Sequence, residues 1–222
     1  MSHPVLDTDF ARHRMVDTQI RPMLVNDPRI IHAMREIPRE RFLPPELAAG
    51  AYMDRSIPLG AGRVLGEPRV VARLVQSLVP RRGERALVVG AGTGYAAALL
   101  DRLGVAVVAL EQDERLIAIG RDACGATALG VQYRQGPLSA GWDEGAPYDM
   151  ILIDGGVRAI PPALAAQLKP QGRLACVLWA EKRVPAAVLA EASVGGVLRE
   201  RVQFDANLPL LPELAPALAF SL

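Results

Sequence analysis

The sequence predicts an α/β domain: a mostly parallel, doubly wound sheet with an antiparallel edge and an N-terminal helical cap. Three observations predict it. From about residue 83, short continuous apolar runs recur at strand length, with helical stretches between them. Strands that are apolar on both faces belong to parallel sheets covered on both sides. The first of these runs ends in a glycine-rich turn that opens a helix. Finally, 222 residues, half of them apolar, can bury a core without disulfides or metals.

The N-terminal region comes first. Phe10–Ile20 places Met15, Val16 and Ile20 between charged residues, which predicts a helix stopped by Pro22. Asp27-Pro28 opens a second helix, with Ile30, Ile31, Met34 and Ile37 on one face and Pro38 at its end. Phe42, Leu43 and the Pro44-Pro45 pair start a further turn. Residues 57–72, IPLGAGRVLGEPRVVA, predict a loop leading into a helix over Val70–Leu78.

The alternating part follows. Strands are expected at Arg85–Val89, Val105–Leu110, Val131–Arg134, Asp149–Ile153 and Gly172–Leu178. Helices are expected at Gly94–Leu103, from Asp113 onward and at Ile160–Leu168. Beyond residue 180, Val184–Leu189, Val197–Phe204 and Ala217–Leu222 are candidate antiparallel edge strands, although Pro185–Ala192 also has helical character. The whole is read as one domain, 1–222, with 10–82 as cap and loop and 83–222 as core.

Charge and cysteine content narrow the function classes. With 25 basic and 24 acidic residues, nothing pulls the chain globally toward nucleic acid or a membrane surface. No apolar run reaches the ~18 residues of a membrane span, and the first residues show no signal-peptide core, so a cytoplasmic protein is expected. Cys124 and Cys176 lack metal-type spacing and are expected as reduced, buried residues. His3, His13 and His32 show no ligand pattern, and no metal is expected. Trp142 and Trp179 are expected to pack, and Tyr95 to support the glycine turn. A salt bridge is expected within Tyr52-Met53-Asp54-Arg55.

The glycine turn carries the chemistry. Ala86–Val89 runs directly into Gly90-Ala91-Gly92-Thr93-Gly94, a GxGxG spacing. Glycines permit a tight turn and close backbone approach, and the helix start offers free N–H groups. Glu111, followed by Gln112, ends the next strand and lies 21 positions after Gly90. An acid there can accept both ribose hydroxyl hydrogens. Without a third glycine in dinucleotide register, the spacing favours S-adenosylmethionine over NAD, and no GxxxxGK[ST] phosphate loop occurs. A glycine turn serving only helix–strand packing is the bland alternative.

The sequence resembles the protein-L-isoaspartate O-methyltransferases from about Met15 to Leu178. The resembling segments include MVDTQIRP at 15–22, AMREIPRERFLP at 33–44 and AYMDRSIPLGAG at 51–62. They continue with EPRVVARLV at 67–75, VVGAGTGYAAALL at 88–100, GWDEGAPYDMILID at 141–154 and IPPALAAQLKPQGRL at 160–174. The resemblance implies a Rossmann-like class I methyltransferase fold. It implies S-adenosyl-L-methionine at Gly90, Ala91, Gly92, Thr93, Gly94, Glu111 and Gln112, with Gly136, Pro137 and Leu138 near the adenine. It also implies an acceptor site roofed by the 57–68 loop, where the free carboxylate of an isoaspartyl residue in a damaged protein or peptide is methylated. The ester then collapses to a succinimide, which allows repair.

The acceptor loop departs from the family's usual GxGQTISQP. Val64 stands for Thr, Gly66 for the hydroxyl-bearing Ser and Glu67 for Gln. Gly136-Pro137-Leu138 replaces Gly-Asp-Gly, and Asp154 stands where Thr is common. The lost hydroxyl costs about 1.5–3 kcal/mol of hydrogen bonding to a charged group. If Glu67 and Asp154 both face the acceptor, each acts on it: a like charge ~4 Å away costs about 4 kcal/mol at an effective dielectric near 20. Arg63 and Arg69 are the loop cations that would neutralise them. Gly66, Glu67 and Asp154 are therefore the candidate acceptor-side residues. Unneutralised, the acids would suit a neutral or cationic small acceptor, with one acid as general base. The alternatives to isoaspartyl repair are thus a different acceptor, or a catalytically degenerate cofactor-binding protein. For Asp154, a helix N-cap is the structural alternative.

Overall fold

The structure, a computed structural model, describes residues 7–181, 183–193 and 197–214. Seven strands form the main sheet: β3 (Arg85–Val89), β4 (Ala106–Glu111), β5 (Gln132–Gln135), β6 (Tyr148–Val157), β7 (Leu168–Leu178), β8 (Ala186–Ala192) and β9 (Leu198–Asp205). Their order is β5-β4-β3-β6-β7-β8-β9. The pairs from β5 to β7 are parallel, and β7-β8 and β8-β9 are antiparallel. The chain runs outward from β3 through β4 to β5, then returns to the other side of β3 as β6. That reversal makes the carboxyl ends of β3 and β6 a topological switch point, where open α/β sheets bind ligands.

Side-chain alternation along each strand feeds two apolar layers. Ala86, Val88, Val107, Ala109, Met150 and Leu152 face one layer, and Leu87, Val89, Val108, Leu110, Ile151 and Ile153 face the other. The first layer is covered by α1 (Thr8–Met15), α2 (Pro28–Glu36), α3 (Pro68–Ser77), α4 (Tyr95–Arg102) and α5 (Glu114–Ala126). The second is covered thinly, by the five-residue α6 (Pro162–Ala166), short 3₁₀ turns, and Leu211 and Leu214. The expected helix over Ile160–Leu168 is therefore shorter. Pro161 and Pro162 delay its start, and Leu168 already belongs to β7.

Other expectations change too. The first helix does not run as one α-helix to Ile20: it passes from α1 into a π-helical turn, Val16–Ile20, and then a 3₁₀ turn that contains Pro22. The widened turn keeps Val16 and Ile20 both buried. Residues 57–65 are not a loop but a β-hairpin of β1 (Ile57–Gly60) and β2 (Arg63–Leu65), in which Ile57, Leu59 and Leu65 are buried. Pro185–Ala192 has helical composition but is strand, because β8 is bonded on both sides. Asp54 pairs with Arg69 at 3.3 Å, not with Arg55. Ala217–Leu222 lies outside the described residues.

Asp27 caps α2 as the sequence suggests, accepting from the Arg29 N–H at 2.9 Å. Asp154 does not cap a helix. It lies within β6, where Leu152 pairs with Ala175 and Gly156 with Val177, so a bulge carries residues 153–155 out of register. The two cysteines are free and buried. Among the described residues no helix is long and apolar enough to cross a membrane, and no cluster of metal-ligand type occurs.

Candidate active site

The glycine turn and Glu111 meet at the switch point. Gly90, Gly92 and Gly94 have φ of 66°, 56° and 86°, so the turn is left-handed at alternate residues, a conformation that costs other residues steric strain. The turn folds its own amides inward: Ala91 N–H donates to Leu110 O at 3.1 Å and Gly94 N–H to Ala91 O at 2.7 Å. Gly92 N–H donates to Glu111 Oε2 at 2.9 Å. Gly94 also packs tightly on Tyr133, whose hydroxyl donates to Thr93 O at 3.1 Å, so part of the glycine requirement is internal packing.

Glu111 is fully buried. Its carboxylate accepts from Gly92 N–H, from Gln112 N–H at 2.7 Å and from Asp113 N–H at 3.2 Å. Arg63 adds two more donors, Nε to Oε2 at 3.0 Å and Nη2 to Oε1 at 3.2 Å. The expected adenine-side residues close the same corner: Gly136 N–H donates to Glu111 O at 3.2 Å, and Leu138 is buried beside Gly90. Pro137 opens a short 3₁₀ turn that holds Leu138 there. The candidate cofactor residues are thus brought together.

The acceptor-side acids have separate surroundings. Glu67 pairs with Arg69 at 3.0 Å and lines a surface groove of about 270 Å³ with Met23, Arg73, Phe204 and Asp205. Asp154 does not line that groove. Arg63 does not neutralise Glu67 either; its partners are Glu111 and Glu213, the latter at 3.1 Å. Gly66 lies between Val71 and Leu208, where a Cβ would meet their methyl carbons at 3.1 and 3.2 Å. A serine there would need these methyl groups to give by a few tenths of an ångström.

Arg39, not singled out by the sequence, holds Gly66, and its charge acts on Asp154. It is fully buried, donates from Nε to Ala51 O at 2.8 Å and from Nη2 to Gly66 O, and lies over the Tyr95 ring at 4.6 Å. Among the described residues its Nη1 has no partner, and neither do Tyr95 Oη and Thr93 Oγ1. Burial pushes the Asp154 carboxyl up to about 7; the Arg39 charge pulls it back, and the Glu111 charge adds to the rise. The signal for Arg39 was its place in IPRERF between two buried apolar anchors, Ile37 and Phe42.

A sequence profile of the protein-L-isoaspartate(D-aspartate) O-methyltransferase family matches residues 11–198. Among relatives, a protein-L-isoaspartate O-methyltransferase of Methylorubrum extorquens is 46% identical over 173 residues, 78% of this chain and 76% of that protein. Protein-L-isoaspartate O-methyltransferase 1 of Rhodopseudomonas palustris is 38% identical over 216 residues, 94% of this chain and 88% of its own. A solved protein-L-isoaspartate O-methyltransferase superposes with a TM-score of 0.78 at 24% identity, over 92% of this chain and 67% of that one. A proposed protein-L-isoaspartate O-methyltransferase from Plasmodium falciparum, in complex with S-adenosyl-L-homocysteine, gives 0.74 at 18% identity, over 91% and 98%. The two structures speak for the Rossmann-like methyltransferase fold; the profile and the close relatives speak for descent. The chain belongs to the protein-L-isoaspartate(D-aspartate) O-methyltransferase family.

Proposed function

We propose that this chain is an S-adenosyl-L-methionine-dependent methyltransferase that esterifies the free carboxylate of isoaspartyl residues in damaged proteins and peptides. One finding carries the reading: the family match spans residues 11–198, and so covers both the acceptor loop and the glycine turn. The residue types at the switch point fit the cofactor, since a strand-end carboxylate stands beside a left-handed glycine turn. Gly90–Gly94, Glu111, Gln112 and Gly136–Leu138 would hold it. When bound, it supplies a methyl group on a sulfonium, an electrophile that needs no further activation.

A carboxylate acceptor has a pKa of about 4 and is ionised near neutrality, so it needs no general base. The chain's task is to hold the acceptor in line and keep water out. Arg39 fits that task, as a buried cation that fixes the Gly66 carbonyl and whose Nη1 has no partner among the described residues. The acids oppose it less than their number suggests. Arg69 offsets Glu67, and Asp154, with its carboxyl pushed up to about 7, is largely neutral below that pH. Residues 1–222 are proposed to act as one domain, 10–82 roofing the site on 83–222. The two unpaired, buried thiols suit a reducing cytoplasm.

The test is transfer of labelled methyl to an isoaspartyl peptide, with the matching aspartyl peptide as control. Base-labile ester on the isoaspartyl peptide alone is expected. Donor binding without any ester on that peptide would refute the acceptor assignment.

A further inference from the structure

We propose that residues 206–214 form a strap that fills the donor crevice with the protein's own groups, and that the methyl donor binds only when this strap lifts. The proposal rests on the reading of the switch point as the donor site. Leu211 is buried directly on the glycine turn: a Cβ on Gly90 would meet its Cδ1 at 2.7 Å, and one on Gly155 would meet its Cγ at 2.6 Å. Gly90 directly follows β3, and Gly155 lies near the carboxyl end of its neighbour β6, so both wall the switch-point crevice. A nucleoside that approaches the bare backbone there needs the volume that Leu211 holds.

Glu111 is occupied in a corresponding way. The two Arg63 donors reach its two oxygens separately, the pattern in which a vicinal diol would donate to the same carboxylate. Glu213 in the strap holds the other side of that guanidinium, with Nη1 to Oε2 and Nη2 to Oε1 both at 3.1 Å. Ribose binding therefore requires Arg63 to leave Glu111, and lifting the strap removes the anion that keeps Arg63 in place. Leu208 extends the same closure to Gly66 on the acceptor side.

The strap is attached lightly enough to move. Among the described residues its main chain meets β6 through one bridge, Gly156 to Leu210, and at its start Ala206 N–H donates to Pro185 O at 3.1 Å. Two hydrogen bonds make the bridge, Gly156 N–H to Pro209 O at 2.7 Å and Leu211 N–H to Gly156 O at 2.9 Å. Trp179 Nε1 adds one to Leu208 O at 2.9 Å. Pro209 and Pro212 have no N–H with which to extend a ladder. Its buried apolar side chains are those of Ala206, Leu208, Leu211 and Leu214. A segment with so few backbone bonds opens locally at much lower cost than the sheet beneath it.

The experiment is calorimetric titration of S-adenosyl-L-homocysteine into the native chain, Leu211→Ala and Glu213→Gln, with amide exchange followed at Leu211 and Gly156. Affinity for a site open only part of the time scales with the open fraction. Leu211→Ala should therefore tighten binding about tenfold and Glu213→Gln about threefold. In the native chain the ligand should speed exchange of both amides. Glu213 is on the surface side of the strap, so its variant keeps the test valid if Leu211→Ala fails to fold. Binding to the native chain with these amides unchanged or slowed, or variants that bind no tighter, would overturn the strap alone. No binding by the native chain or either variant would overturn the donor-site reading and the strap with it.

Discussion

Replacing Asp154 with Asn should stabilise the protein, and by an amount that grows with pH. The Asp154 carboxyl sits in the β6 bulge, where burial pushes it up to about 7 from an ordinary value of 3.8. At pH well below 4 both the folded and unfolded carboxyls are protonated, and the aspartate costs nothing relative to the amide. Between about 4 and 7 the unfolded chain releases its proton while the folded chain retains it, so stability falls as pH rises. Above about 7 the loss is complete. A rise of about three units corresponds to about 4 kcal/mol at most. Asp154 keeps some accessible surface, which lets water lower that ceiling. Arg39 is already counted, because its charge is one of the influences that set the final position. Urea denaturation of both proteins near pH 5 and near pH 9 measures the effect. The stability gap should widen by about 2–4 kcal/mol between those conditions. A gap of the same size at both, or one that narrows, would refute a carboxyl held neutral by burial.

Four further substitutions follow from the same geometry. Glu111→Gln leaves the buried Arg63 with Glu213 alone and should cost about 3 kcal/mol in a urea titration, while S-adenosyl-L-homocysteine binding is lost in calorimetry. Gly94→Ala combines a left-handed φ of 86° with a clash against Tyr133 and should cost about 2–4 kcal/mol. Gly83→Ala, with φ of 87° and open space around it, should cost only about 1 kcal/mol, so thermal melts of the pair separate clash from backbone strain. Arg39→Lys keeps a charge but cannot bridge Ala51 O and Gly66 O together; it should cost about 2–3 kcal/mol and slow ester formation on the isoaspartyl peptide more than it weakens donor binding.

The order of strands and helices was legible because continuous apolar runs and their punctuation are local properties. The glycine turn and Glu111 were legible for the same reason: each sits at the end of such a run. The hairpin at 57–65 was hidden because Gly60 and Gly62 break its alternation, and only two or three residues of each strand face the core. β8 was hidden because Ala favours helix in isolation, and pairing with two neighbours outweighs that preference. Leu208 and Leu211 looked like ordinary apolar residues near the end of the sequence. Nothing local says that a leucine there meets a glycine turn more than a hundred positions earlier.

Arg63 shows the limit most clearly. Judged by its neighbours, it is a loop cation beside Glu67, and the charges nearest in sequence seem to belong together. The pairing is decided by desolvation instead. Glu67 keeps about a fifth of its side chain in water and shares Arg69, itself well exposed. Glu111 has no water to turn to, and an ion buried that fully needs a cation as well as its three backbone donors. The most buried acid of the site therefore takes the most buried cation of the loop, across 48 positions, and Glu213 completes the group from 150 positions away. The acid proposed as ribose anchor is thus legible in the strand that carries it, whereas its partners Arg63 and Glu213 are remote from it in sequence.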